Sequence, residues 1–486
     1  MKKFDVCVVG SGMAGLTVAS LLARDGLQVG VLEQNWLPGG CTSSYWRKGF
    51  VFESGATTLV GLDHHMPLRY LLDQTGVQIN AVELELPMQV HLGDGTIINK
   101  YKPLNEWIQE AERVFGPQNQ RAFWEFCFKI SEFVWETSLK QRVFPPSRLS
   151  DLLAAARNAS LKQLRFAGYS LMSMKQLLKR YGLLQNQQFV NYVNEQLLIT
   201  AQNYIDEVNV LFGATALCYT NYANYYVPGG LINLVNPLVE YIQGQQGEVL
   251  LRTGVEKIEK KPDGYLLQSR KKGDFFCKYL VSSIPVNNTL QLFPEGPRSV
   301  YRKKTMGSQQ LNSAFQMGIG FKKSADFKAI HHQVHLKEPL PETGSASIFI
   351  SLNHPGDTTR TDEAGQAVAS VSTHVHDPQS NFMHHKEQAE QAVINCLEER
   401  GILRREDIVY YHSSTPKGWH KWTRREFGFV GGYPQYMCIK PWQMLDARLD
   451  GDRAYICGDT TYPGQGIPGA TLSGLIAYEK MKRDHF

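Results

Sequence analysis

The chain of 486 residues carries a formal net charge of +5, with 43% hydrophobic and 20% charged residues. That size and balance describe a folded protein with two or three intertwined cores and exclude disordered, collagen-like or repeat architectures. Its eight cysteines include no CxxC pair, which argues against a zinc or disulfide framework and for a reducing, cytoplasmic setting.

The opening stretch MKKFDVCVVGSGMAG has two lysines before an apolar run, but Asp5 interrupts it. It reads as a first strand rather than a leader peptide. Val6, Val8 and Val9 lead into GxGxxG, where Gly10, Gly12 and Gly15 enclose Ser11, Met13 and Ala14. Leu16, Ala19, Leu22 and Ala23 then follow at helical spacing, Gly26 stops the helix, and LQVGVLE gives a second strand ending in Glu33 and Gln34. In such a unit the first glycine permits the tight turn, the second lets a pyrophosphate approach the backbone, and the third lets helix and strand pack closely. The helix start offers free N–H groups and partial positive charge to the phosphates, and Glu33 suits a ribose diol.

Next comes PGGCTSS, with Gly39, Gly40 and Cys41. An acid at a strand end followed by a GG loop resembles flavoproteins of the amine oxidase and phytoene desaturase superfamily, which implies FAD. Many members carry arginine two residues before the glycine pair and another just after it. Here those positions hold Leu37 and Cys41. The stretch GFVFESGATTLVGL (49–62) alternates like a strand and then presents Gly55, Thr57 and Thr58. It is similar to a desaturase segment whose end lies against the flavin ring.

From 77 to about 224 the pattern shifts to long, aromatic-rich amphipathic helices. The longest uncharged stretch, 208–239, is broken by NYANYY and VPGG and predicts a buried wall rather than a membrane span. Residues 145–182 hold seven basic residues (Arg148, Arg157, Lys162, Arg165, Lys175, Lys179, Arg180) against Asp151 alone. Apolar residues recur among them at Leu149, Leu152, Leu153, Ala156, Leu161, Leu164, Leu171, Met174, Leu177 and Leu178. This predicts either a helix lying in a membrane interface or a solvated helix covering the core. No base-reading motif accompanies the charge, so nucleic acid is not an expected partner.

YVPGGLINLVNPLVEYIQGQQGEVLLRTGVEKIEK (226–260) predicts a helix after Gly229-Gly230 and then a strand pair. In the resembled superfamily a valine at the place of Val255 presents its backbone amide near the adenine. YLVSSIPVNN closes this part as a strand. Strands are expected at NSAFQMGIGF, SASIFISL and AVASVSTHVH, with a helix at KEQAEQAVINCLEER.

His331, His332, His335, His374, His376, His384 and His385 lack a completing acid or cysteine at ligand spacing, so no metal is expected. No GxSxG elbow marks a serine hydrolase. SSTPKGWHKWTRREFGFVGGYPQ (413–435) resembles a desaturase stretch through Thr415, Pro416, Arg424 or Arg425, and Gly428, while Trp419, His420 and Trp422 depart from it.

The last segment, GDTTYPGQGIPGATLSG (458–474), predicts a strand end at Gly458-Asp459 and a helix from Ile467 with a small-residue face of Gly469, Ala470, Ser473, Gly474 and Ala477. It resembles the carotenoid desaturase and carotenoid isomerase branch. The resemblance implies that Asp459 accepts hydrogen bonds from the ribityl or pyrophosphate side of FAD, and that Gly466, Ile467 and Pro468 bring a helix start to the N1/C2=O edge of the flavin.

The expected fold is α/β. A Rossmann-like FAD-binding domain of the glutathione reductase and amine oxidase type is assembled from 1–76, 225–290 and 446–486. A helical, membrane-facing region covers 77–224, and a mixed-sheet substrate domain covers 291–445. The activity implied is hydride removal from a carotenoid or other long apolar polyene to flavin N5. A non-redox isomerase, a saturase and a non-enzymic prenyl-binding protein are the alternatives. Neither the catalytic residues nor the electron acceptor is identified by the sequence.

Overall fold

The computed structural model describes residues 1–486 except 158–164, 324–326, 382 and 384. Leu161, Lys162, Leu164 and His384 of the stretches above lie outside the described residues.

Two seven-stranded sheets organise the chain. In the first, β1 (Lys2–Val9) lies between Phe275–Ser282 and β2 (Val29–Leu32), all parallel, and β2 continues to Glu248–Leu250. Ala454–Ile456 adds a further parallel partner to Phe275–Ser282, while Gly264–Gln268 and Lys257–Lys261 extend the edge antiparallel. Val6, Val8, Val29 and Val31 have no solvent exposure, because this sheet is covered on both faces, as parallel sheets are.

Helix α1 (Met13–Arg24) is buried from Met13 to Ala23. It belongs to one core with the helix Ile232–Gly244 and the C-terminal helix Ile467–His485. A helix buried all round needs small residues where neighbours approach, and Gly15, Ala14 and Ala19 supply them on α1.

The second sheet runs in the order Ile408–Ser414, Asn312–Lys322, Gln366–His376, Ser347–Leu352, His331–His335, Met88–His91, Ile97–Lys100. The strands expected at NSAFQMGIGF, SASIFISL and AVASVSTHVH are its centre. Its last two strands form a hairpin from within 77–224, joined parallel to His331–His335.

The remaining helices of 77–224 pack a separate aromatic core of Trp107, Phe123, Trp124, Phe189 and Tyr192. The long aromatic stretch is the helix Gln120–Lys140. No helix among the described residues is long and apolar enough to cross a membrane.

Among its described residues the basic stretch includes two helices of opposite habit. Met174–Arg180 buries Met174, Leu177 and Leu178 and leaves Lys175, Lys179 and Arg180 outside. Leu149–Arg157 does the reverse: Leu149, Leu152 and Leu153 are 72%, 53% and 55% exposed, and Asp151 is buried. Asp151 accepts two bonds from Arg448, at 2.6 and 3.0 Å, and the same guanidinium donates to Asp484 on the C-terminal helix at 2.6 and 3.0 Å.

Candidate functional site

The first glycine turn is held by its own acid. Gly10 N donates to Leu32 O at 2.9 Å. Ser11 donates to Glu33 Oε2 through its backbone N (2.9 Å) and through Oγ (2.7 Å). Asn35 N donates to Glu33 Oε1 at 2.8 Å. Each carboxylate oxygen can accept more than one bond, so this leaves lone pairs for a ribose diol while fixing the turn.

Gly15 works by close approach. A Cβ there would stand 2.4 Å from Gly10 O and 2.7 Å from Ser283 Oγ, so any larger residue would drive helix from strand. Gly12 is the N-cap of α1 with no side-chain cap, and a Cβ on it would meet nothing within 4 Å. Open space thus lies in front of an uncapped helix start, the setting that favours a phosphate.

The second glycine loop lies directly beside the first. Gly39 N donates to Ser11 O at 3.0 Å, and a Cβ on Gly40 would come within 3.6 Å of Gly12 Cα. The loop before Val255 is tied to the same acid, with Thr253 N donating to Glu33 O at 2.7 Å. Gln34 Nε2 donates to Thr423 O at 2.9 Å, linking this end to the 413–435 segment. Thr57 and Thr58 sit on a hydrogen-bonded support: Ser351 Oγ donates to Thr57 Oγ1 (2.7 Å), His331 Nδ1 is 2.7 Å from Ser351 Oγ, and His331 Nε2 is 3.3 Å from Thr58 Oγ1. Asp459 Oδ2 accepts from Arg425 Nη2 at 2.7 Å. Gly466 is the N-cap of the C-terminal helix and, like Gly12, brings no side-chain cap.

One cavity of about 2290 Å³ joins these pieces. Gly10, Ser11, Gly12, Met13, Ala14, Glu33, Gln34, Gly39, Gly40, Cys41, Thr57, Thr58, Val255, Gly458, Asp459, Gly466, Ile467 and Pro468 all line it. Gly15 does not, since it is spent on packing. The volume exceeds the ~300–1,000 Å³ of an ordinary single-ligand pocket. The cavity continues past the glycine turns between two unlike walls. One is apolar, with Phe133, Val134, Phe144, Leu211, Phe212 and Ala216. The other, on the second sheet, carries Gln316, Ser347, Thr373 and His374.

This polar wall was not foreseen. Gln202 Nε2 donates to His374 Nε2 at 3.0 Å, and Gln202 Oε1 is buried without a partner. Burial holds His374 down to about 4, so its ring is neutral at neutral pH. Behind Ser347 stands Glu195, which accepts from Ser347 Oγ at 2.5 Å and whose carboxyl is pushed up by burial. His374 had been weighed only as a metal ligand. Alternation within AVASVSTHVH could have shown that it shares a face with Ser372, but not that the face lines a cavity. Among the described residues no group of three His, Cys, Asp or Glu is placed to hold a metal ion. His332 instead lies 3.1 Å from His91 across the sheet.

The residues present fit an adenine dinucleotide carrying a flavin. Two uncapped helix starts face the cavity, an acid sits at the strand end, and buried polar atoms on lining residues lack partners, among them Ser43 Oγ, Gln202 Oε1, Ser283 Oγ and Arg425 Nη1. Orphaned buried donors and acceptors of this kind are costly unless a ligand meets them.

Comparison with known proteins agrees with this geometry. Residues 13–479 match the family described as flavin-containing amine oxidoreductase. The chloroplastic prolycopene isomerase of Arabidopsis thaliana is 21% identical over 99% of this chain and 83% of its own length. A 4,4'-diapophytoene desaturase of Staphylococcus haemolyticus is 22% identical over 99% of both chains. The all-trans-retinol 13,14-reductase of Danio rerio is 29% identical over 52% of this chain and 42% of its own. Among solved structures, an oxidoreductase from Methanosarcina mazei superposes with a TM-score of 0.66 at 16% identity, covering 98% of this chain and all of that one. A redesigned putrescine oxidase does so with a TM-score of 0.65 at 14% identity, covering 99% of each.

Proposed function

The chain belongs to the family of flavin-containing amine oxidoreductases, whose cofactor is FAD, and from that premise we propose that it acts on a long apolar polyene, most simply as a carotenoid desaturase. Bound FAD supplies a two-electron acceptor or donor at its ring. The residues that would hold it are the Gly10–Gly15 turn, Glu33, the Gly39–Cys41 loop and Asp459, with Val255 at the adenine, and with Thr57, Thr58 and the start of the C-terminal helix at the ring.

The observation that carries the substrate class is the continuity of one cavity from the glycine turns to the wall of Phe133, Val134, Leu211 and Phe212. An extended, apolar molecule fills such a space by burying surface, at roughly 25 cal/mol per Å². The walls would confine the chain beside the residues that hold the cofactor and exclude water, and the polyene would delocalise the charge that develops. The Arabidopsis, Staphylococcus and Danio relatives, named for carotenoid and retinoid substrates, support the same class. Gln202, His374 and the Ser347–Glu195 pair are the polar groups placed to orient the substrate or accept its proton.

The same reading puts the cavity mouth at a membrane surface. Ala155 and Ala156 line the cavity from the helix Leu149–Arg157, whose Leu149, Leu152 and Leu153 face outward, and Leu171 nearby is 55% exposed. A polyene dissolved in lipid would enter there.

Anaerobic mixing of the flavin-loaded protein with carotenoid and retinoid polyenes, followed by absorbance and chromatography, tests the proposal. Flavin bleaching with a lengthened chromophore is the expected result. A geometric isomer without net bleaching would assign the isomerase reaction, and a shortened chromophore with pre-reduced flavin the saturase reaction. Bleaching by di- and polyamines with no effect of any polyene would overturn the proposal.

A further inference from the structure

The phosphates of FAD carry two negative charges, yet the loops that approach them bring no cation of their own. The second glycine loop reads Leu37-Pro38-Gly39-Gly40-Cys41, and the first reads Gly10-Ser11-Gly12-Met13. We propose that Arg425, from a segment nearly four hundred residues later in the chain, is the positive charge that binds the pyrophosphate, and that Asp459 holds the guanidinium in position for it.

Several contacts converge on this side chain. Its backbone is pinned on both sides: Arg425 N donates to Thr423 Oγ1 at 3.3 Å, and Arg425 O lies 2.8 Å from His420 Nδ1. Its guanidinium lies 5.4 Å from the centroid of the Phe429 ring, which restricts its plane. Nη2 donates to Asp459 Oδ2 at 2.7 Å, and Asp459 is itself held by the stretch just after Arg425, with Tyr433 N donating to Asp459 O at 3.3 Å.

The side chain is 14% exposed, lines the cavity, and its Nη1 is buried with no partner. Cys41, beside the glycine pair, feels the charge of both Arg425 and Asp459, which puts the ion pair within electrostatic reach of the Gly39–Cys41 loop.

A buried guanidinium with one nitrogen bound and another free is half of a bridge. Arginine's planar fork suits a carboxylate on one edge and a phosphate on the other, and such charge-assisted bonds are the stronger ones. Asp459 alone would repel a pyrophosphate; with Arg425 between them the pair becomes a receptor for it. Lysine would keep the charge but could not span both partners in this geometry.

The inference rests on the phosphates lying at the Gly10–Gly15 turn. Its test is titration of the apoprotein with FAD and, separately, with riboflavin, which has the ring and ribityl chain but no phosphate. Wild type, R425Q and R425K are compared, each with an apoprotein melting curve. R425Q is expected to weaken FAD by about 10- to 100-fold while riboflavin changes by less than about twofold, with R425K intermediate. Unchanged FAD affinity in R425Q would overturn the proposal. So would equal losses for FAD and riboflavin, since Arg425 would then act only through Asp459 or the fold. Should R425Q not fold, the FAD-to-riboflavin affinity ratio of R425K decides: a lowered ratio supports the bridge and an unchanged ratio overturns it. A wild-type protein that prefers FAD to riboflavin by nothing would instead remove the phosphates from the turn, whatever the variants do.

Discussion

Lys100 is the residue on which burial acts most plainly. It has no solvent exposure, its ammonium is 3.9 Å from the centroid of the Trp107 ring, and it donates to Leu217 O at 3.3 Å. Desolvation pulls it down to about 7, against ~10.4 in an unfolded chain. Between those values the unfolded state binds more protons than the folded one, so this group's contribution to stability improves as pH rises from 7. Lys100→Met keeps the stem against the two tryptophans and removes the charge. The variant should melt higher than wild type at pH 7, and the difference should shrink by pH 9. A variant less stable than wild type by the same margin at both values would mean that the ring contacts outweigh desolvation. Period-two alternation puts Lys100 on the same face as the buried Ile98. Nothing local marks that face as inward, because the covering tryptophans come from two separate helices.

At the scale of elements, the C-terminal helix depends on how closely it can lie on α1. A Cβ on Gly474 would come 2.5 Å from Ala14 O and 2.8 Å from Thr17 Cβ. Ser473 beside it accepts from Gly458 N at 3.0 Å, so helix packing and the Gly458-Asp459 turn are one unit. Gly474→Val should cost roughly 1–3 kcal/mol or more through overpacking, and the purified protein should carry substoichiometric flavin. A variant with unchanged melting temperature and full flavin content would refute this coupling. The small-residue face was legible because i, i+4 spacing is a local property of a helix. Both glycine turns and the three central strands of the second sheet were legible for the same reason, each being written in a run of neighbouring residues, whereas the hairpin Met88–His91 and Ile97–Lys100 lay hidden in a stretch read as helical. The Arg448–Asp151 pair was not. Read along the chain, Asp151 is one acid among seven basic residues; in space it anchors the leucine-bearing helix to the cofactor sheet through a residue 297 positions away. Arg425 was noticed as half of an arginine pair, but its partner Asp459 could be assigned only once the loops met.

For the whole molecule, the question is how one cavity receives both a charged dinucleotide and an apolar substrate. On the proposed function the two are received at different ends: the glycine turns gather at the parallel sheet, and the apolar wall lies beside Ala155 and Ala156 of the helix Leu149–Arg157. The basic run read from sequence left two expectations, a helix lying in a membrane interface or a solvated helix covering the core. Lys175, however, is already paired with Asp206 at 2.7 Å, and its helix turns its apolar face into the core. On the proposed function the exposed leucines, rather than these cations, would make the membrane contact, since each is worth about 1.5–3 kcal/mol when fully buried. Replacing Leu149, Leu152 and Leu153 together by serine should reduce sedimentation with neutral phosphatidylcholine vesicles by at least about tenfold. Changing Lys175, Lys179 and Arg180 to glutamate should matter on anionic vesicles only, and less as salt rises. The leucine variant should still turn over polyene presented in detergent while losing turnover of polyene embedded in vesicles. That split separates docking from folding: a variant inactive in both has lost its structure, and one equally active in both shows that substrate does not enter across the leucine face.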